Sequence, residues 1–349
     1  MMSIFSNPTS VRSISRGFRS MNRSLLMIAG LAAIGFSCGK NNDTTEFGDW
    51  TRKSDFEGVA RGGAASFVIG TKAYVATGLN SNSERLSDMW EYDSQLNTWT
   101  QKANFPGVAR ALGSGFTANN KGYVGLGQNA NNQYLKDFYS YDPTANKWTK
   151  IADYMGSARS GSVSFVINNK GYVGTGYDGN YVNDIYSYDP AADAWTKETS
   201  YAGVKRRGAV SMVINNVAYV GTGENNGSSQ RDWWVYDPAT KVWTQKLDFT
   251  SDQSTIARRN ASTFVIGNIG YLLMGEGGDS FVWSYDPATD IWTKVQDIST
   301  GSWKVKPSIR SLAVSFSINN IGYITTGGSS TRYDDIYAFD PSKQRVVAE

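Results

Sequence analysis

The 349-residue chain contains no histidine and a single cysteine, Cys38. Without histidine, neither a Ser-His nor a Cys-His dyad can form. Zinc sites of the usual His/Cys kind are excluded with them. One cysteine cannot close a disulfide within the chain, so an oxidising compartment would gain it nothing. The repeated acids fit neither a calcium loop nor a phosphate cradle. Charge of one sign is also scarce. The formal net charge is +3, from 34 basic and 31 acidic residues. Four of the basic residues (Arg12, Arg16, Arg19 and Arg23) precede residue 38, where there is no acid. The remainder is slightly acidic, which leaves no basic stripe for nucleic acid.

The N-terminal segment reads as an address. Asn22 and Arg23 precede an apolar run at residues 25–36 and then Ser37 and Cys38. A basic start, a short apolar core and a small residue describe a secretory signal, too short for a membrane span. Met21 is a candidate start, with residues 1–20 an extension ahead of it. Cys38 stands where a bacterial lipoprotein is cut and lipidated, although Gly35 and Phe36 depart from the usual residues before that cut. The expectation is a signal peptide at 1–37, a lipidated tether at 38–46 and a folded part at 47–349. The protein would be exported as an outer-membrane lipoprotein, touching the membrane through its lipid anchor only.

The folded part is a repeat. Trp50, Trp99, Trp148, Trp195, Trp243 and Trp292 mark one position in successive copies of 47 to 49 residues, a period that signals a solenoid, array or propeller. Within the third copy, residues 162–167 and 171–176 flank Asn168 and Asn169, where asparagine tolerates the positive φ of a two-residue hairpin. The turn recurs at Asn119, Asn215 and Asn319, each followed by a second asparagine, with Gly70–Thr71 and Gly267–Asn268 as variants. A third strand at 184–188 stops at Asp189–Pro190, since proline presets a turn and cannot continue the sheet. The fourth strand carries Trp195. Such short Val-, Tyr-, Phe- and Trp-rich strands leave no room for helices. Each copy is a small twisted sheet that is apolar on both faces and buried only against its neighbours.

GYVGTG at 171–176, SYDP at 187–190 and Trp195 resemble the kelch repeat, over about residues 47–341. The glycines are usually spaced Gly-x-Gly, as in Gly125–Gly127, Gly174–Gly176 and Gly221–Gly223, with Gly327 and Gly328 adjacent instead, but a glycine follows the tyrosine by four residues in every copy. The resemblance implies an all-β, six-bladed kelch-type β-propeller with four antiparallel strands per blade. A ring must close or leave exposed edges. Trp50 precedes the first copy, whereas Val346 holds the tryptophan position after the last. The simplest closure makes the Trp50 strand the outer strand of the last blade.

Arg61, Arg110, Arg159, Arg206, Arg258 and Arg310 each lie six residues before the aligned Phe or Met of the first strand. The first strand of a kelch propeller is innermost, so the resemblance implies six guanidinium groups around one mouth of the channel. Asp88, Asp137, Asp184, Asp232 and Asp335 fall on the same face. One reading makes these intra-blade Arg–Asp pairs that hold loops, since a forked donor matches a carboxylate. In the fifth copy the Asp position is Phe281, so Arg258, followed by Arg259, is expected to be free for a ligand. Loops are also lengthened there: Trp243 to Arg258 and Trp292 to Arg310 exceed the other spacings, and lengthened loops on a regular scaffold are where function is grafted.

Glu224 and Glu276 follow the closing glycine on neighbouring copies. They are candidates for an acid/base pair across a sugar ring, or else loop acids paired with arginine. Trp303, in the longest loop beside Lys304 and Lys306, is a candidate stacking or anchoring residue. The copper of galactose oxidase, a kelch-type enzyme, requires histidine and cysteine and is excluded. The expected function is a non-catalytic module without cofactor or metal. It would bind a glycan or protein ligand through Arg206, Arg258, Arg259, Arg310 and Trp303. The alternative is a mutarotase or epimerase of acidic sugars, as the resemblance to N-acetylneuraminate mutarotase implies, using Arg206, Arg258, Glu224 and Glu276. A shared fold does not choose between them.

Overall fold

The computed structural model describes residues 44–246, 249, 251–299 and 305–347. The signal segment, Cys38 and Trp303 lie outside the described residues. Every repeat folds as expected into a four-stranded antiparallel sheet. The third, for instance, pairs Val163–Ile167, Lys170–Gly174, Ile185–Asp189 and Ala194–Lys197 in chain order. Six such sheets form a six-bladed β-propeller. Both asparagines of the hairpin take positive φ (Asn168 51°, Asn169 59°), and Gly70 (60°) and Gly267 (58°) serve where glycine replaces the first of them. Among the described residues the expected absence of helix has one exception, the 3₁₀ segment Ser251–Ile256 inside the fifth copy's lengthened loop.

The sixth blade closes the ring. Thr44–Arg52 pairs antiparallel with Ile336–Val347, as the outer strand beside Val314–Ile318 and Ile321–Thr325. Trp50 is 2% exposed, lies 4.9 Å from the Phe339 ring and donates its indole N–H to Gln296 Oε1 at 2.9 Å. Two details differ from expectation. The strand begins at Thr44, inside the stretch read as a tether. The third strand of this blade also runs through Asp340–Pro341 rather than turning back, and Val346 pairs with Thr45. The register shifts between Phe47 and Asp49 absorb the mismatch, at Gly48 with φ 86°. Proline is tolerated there because an irregularity frees it from donating to the ladder.

Each blade is buried by its neighbours, with one apolar cluster at every blade–blade seam. At the seam between blades 2 and 3, Phe116, Ala118 and Phe138 meet Tyr154, Tyr188 and Trp195. Glycine before the second-strand tyrosine has a direct cause here, since a Cβ on Gly171 would collide with the Phe116 ring of the preceding blade. Flat ring against bare backbone repeats as Phe67 on Gly122 and Phe264 on Gly322.

Two rings of backbone hydrogen bonds tie the blades around the channel. The N–H of each closing glycine donates to the carbonyl of the next blade's arginine: Gly78 to Arg110 (2.8 Å), Gly176 to Arg206 (2.7 Å), Gly327 back to Arg61 (2.6 Å). Nearer the axis, Gly63, Leu112, Gly161, Gly208, Asn260 and Leu312 bond head to tail, each N–H to the previous carbonyl, at 2.8 to 3.1 Å. All six have φ between 53° and 65°. The circuit closes through Gly63 N–H to Leu312 O at 2.9 Å. Small residues of the inner strands line the channel beneath, around a cavity of about 230 Å³ that includes Ser66, Ser164, Ser211, Thr263 and Ser315.

Candidate functional site at the channel mouth

The six aligned arginines are buried, between 0% and 3% exposed, so they do not line an open mouth. Each is a staple that grips three pieces of chain. Arg61 shows the pattern: Nε donates to Val59 O (2.9 Å), Nη1 to Thr77 O (3.0 Å), and the fork to both Asp88 oxygens (2.7 and 2.6 Å). The guanidinium thereby fixes the loop before it, the end of the second strand and the start of the third. Most also lie over an aromatic ring, Arg61 on Phe56 at 4.9 Å and Arg206 on Tyr201 at 4.8 Å. Burial alone would raise the carboxyls of Asp88, Asp137 and Asp184, but the arginine bonds outweigh it and hold them below their ordinary values. The intra-blade Arg–Asp reading describes all six.

The exception expected in blade 5 does not occur. Arg258 is 0% exposed and paired: its Nη2 donates to Asp279 Oδ1 at 2.8 Å and to Thr255 O at 2.7 Å. Asp279 stands two residues before Phe281, and the lengthened loop reaches it, since Thr255 Oγ1 bonds Asp279 Oδ2 at 2.7 Å. Gly278 makes the approach possible, because a Cβ there would lie 2.5 Å from the guanidinium. Burial holds the Arg258 guanidinium below its usual range despite Asp279. This insertion therefore rebuilds the staple, and Ile256 is buried under it in the seam with blade 4.

The charged groups that face the mouth stand one residue further along. Beyond the staple of blades 1 to 5, the following residue bridges to the residue after the closing glycine, as Arg207 to Glu224 and Arg259 to Glu276. Side-chain alternation turns these outward once the staple arginine points in. Arg207 Nε reaches Glu224 Oε1 at 2.7 Å, Arg259 bridges Glu224 and Glu276, and its Nε lies 2.8 Å from Glu276 Oε2. Asn260 adds a 3.2 Å bond to Glu276 Oε1. Glu224 is buried (2% exposed), while the Arg207 and Arg259 side chains are 45% and 35% exposed. Burial pushes the Glu276 carboxyl up, but Arg259 and Asn260 outweigh it and keep the group below its ordinary value. Arg207 also lies over the rings of Tyr177 (5.1 Å) and Tyr181 (5.7 Å). This chain of charges borders a basin of about 200 Å³ floored by Gly161, Gly208 and Leu312.

Residues 115–278 match the KLHDC2/KLHL20/DRC7 Kelch-repeats domain, and residues 60–106 match the Kelch motif. The chain is a kelch-repeat β-propeller. Its fold is shared with the solved structure of YjhT at 18% identity, with a TM-score of 0.67 over 84% of this chain and 99% of that one. No curated protein matches the sequence.

Of the site residues expected from sequence, the kelch propeller brings Arg259, Glu224 and Glu276 together at the mouth. Arg206, Arg258 and Arg310 are corrected to buried staples, unavailable to a ligand without unfolding their loops. Trp303 and Lys304 lie outside the described residues, and Lys306 donates to Ser299 O at 3.0 Å. Sequence reasoning missed Arg207, Tyr177 and Tyr181. The signal was available: once Arg206 is assigned inward, the period of two places Arg207 outward.

Proposed function

We propose that this kelch propeller is a binding module whose glycan or protein ligand seats on the basin bordered by Arg207, Glu224, Arg259 and Glu276. The observation that carries this reading is the tyrosine-backed line of alternating charges above a ring of backbone that cannot give way. Preorganised donors and acceptors of this kind suit recognition, since their positions are fixed before the ligand arrives. The same feature speaks against acid–base work by Glu224 and Glu276. Both carboxylates are tied to guanidinium groups, and Glu276, held below its ordinary value by Arg259 and Asn260, is a poor proton donor near neutrality. The test is Arg259→Ala, read on a glycan array and a panel of acidic peptides. Its melting temperature should fall only modestly, because Arg207 still pairs the buried Glu224 once Arg259 is gone, while affinity for the preferred ligand falls by about tenfold or more. An array on which wild type binds nothing, or a variant that binds unchanged, would sink this reading.

We propose also that the chain is exported and held at the outer membrane by a lipid on Cys38, on the strength of the signal-like segment before it. Wild-type protein should then partition with membranes and Cys38→Ser should be soluble. Recovery of soluble wild type from the periplasm would refute the anchor.

A further inference from the structure

The line of charges does not end at Glu276. Arg332, from the loop between the second and third strands of blade 6, lies over Gly62 of blade 1, and Glu276 is the carboxylate whose charge acts on it. Its Nη1 donates to Gly328 O, and its buried Nε has no acceptor. The bonded line runs from Arg207 through Glu224 and Arg259 to Glu276, and Arg332 stands beyond it as a cation that no carboxylate among the described residues pairs. A buried donor left without a partner is costly, and burial already depresses the Arg332 pKa.

The neighbouring blade leaves room for what is missing. At the position where blades 4 and 5 place Arg207 and Arg259, blades 1 and 2 place Gly62 and Ala111. Arg332 lies over Gly62, where a Cβ would come within 2.8 Å of Nη1. At this one position the rim is thus uneven, with arginines on blades 4 and 5 and small uncharged residues on blades 1 and 2.

We propose that Arg332 is the anchoring cation of the site, and that its ligand carries a carboxylate on an otherwise uncharged body. The carboxylate supplies the acceptor that Arg332 lacks, since a planar anion matches a guanidinium edge. The body lies over the Gly62 and Ala111 side. This rests on the mouth being the binding site, and adds to it which end of the ligand is charged and which residue reads that charge.

The test uses D-glucuronate against D-glucose and benzoate against benzyl alcohol, titrated calorimetrically into wild type, Arg332→Gln and Arg332→Lys. Each carboxylate is expected to bind wild type at least about tenfold more tightly than its neutral counterpart. Arg332→Gln should erase that preference, and Arg332→Lys, which keeps the charge without the fork, should retain part of it. A preference that survives in Arg332→Gln overturns the role of Arg332 while leaving the mouth as a site. Wild type that shows no preference for either carboxylate overturns the inference outright, and binding on the array then judges the broader reading separately. Should the variants fail to fold, the wild-type Arg332 Nε–H resonance decides. It must shift on titration with benzoate more than that of Arg52, which is half exposed on the outer strand of blade 6 and serves as the control.

Discussion

At the residue scale, the buried arginine is the unit of loop order. One side chain fixes three pieces of backbone, which a lysine, a point charge with no planar fork, could not do. Arg159 and Arg258 reach the same end by different routes. Arg159 grips both oxygens of Asp184, at 2.5 and 2.9 Å, whereas Arg258 takes one oxygen of Asp279 and the carbonyl of Thr255. Arg159→Ala and Arg258→Ala should therefore both destabilise. Breaking one side of a buried pair costs about 3–5 kcal/mol, and the lower end applies because the aspartates retain some contact with water. Urea denaturation of the two variants measures this, and a nearly silent Arg258→Ala would show that Asp279 does not hold it. The pairing was legible in five copies because Arg and Asp keep their places relative to the strands. It was not legible in the fifth, where the acid moves two residues and an inserted turn brings the loop to meet it. A fixed alignment position cannot see a partner that is kept in space and not in sequence.

At the element scale, the strand carrying Trp50 does what no local rule assigns to an N-terminal segment, completing a sheet whose other strands come from the opposite end of the chain. That much followed from counting six sets of three strands and asking what fills the last edge. The run-on through Pro341 did not follow, because Asp-Pro is a stop in four of the other copies and yields here only to a partner strand long enough to pair past it. Deletion through Ser54 should open the ring, expose the edge of Ile336–Val347 and remove a buried tryptophan, a loss of about 3–5 kcal/mol from the side chain alone. Deletion of 342–349 should cost far less, since the described part of that stretch pairs only with the first residues of Thr44–Arg52. Comparing the two truncations by thermal melting checks the closure. If the C-terminal deletion is the more damaging, Trp50 is not the residue that seals the sixth blade.

At the scale of the whole molecule, the six sheets are joined by two kinds of bond that respond differently to strain. The apolar seams can loosen one at a time. The inner circuit of Gly63, Leu112, Gly161, Gly208, Asn260 and Leu312 cannot, because each peptide donates to one neighbour and accepts from the other. Opening any link requires two blades to part, and parting two blades opens the ring. The six amides should therefore exchange with solvent hydrogen at a common, slow rate set by global opening, although they sit at a channel mouth where water reaches the backbone. Ordinary loop amides at such a surface exchange through local fluctuations and span a wide range. Hydrogen exchange of wild type and of the truncation through Ser54 separates the possibilities. The six amides should be matched and strongly protected in wild type, and all six should lose protection together when the closing strand is gone, including Gly161 and Gly208 on the far side of the ring. Loss confined to Gly63 and Leu312, beside the missing strand, would mean that the circuit is a set of independent bonds. The rigid floor on which the proposed binding site depends would then have to come from the arginine staples alone.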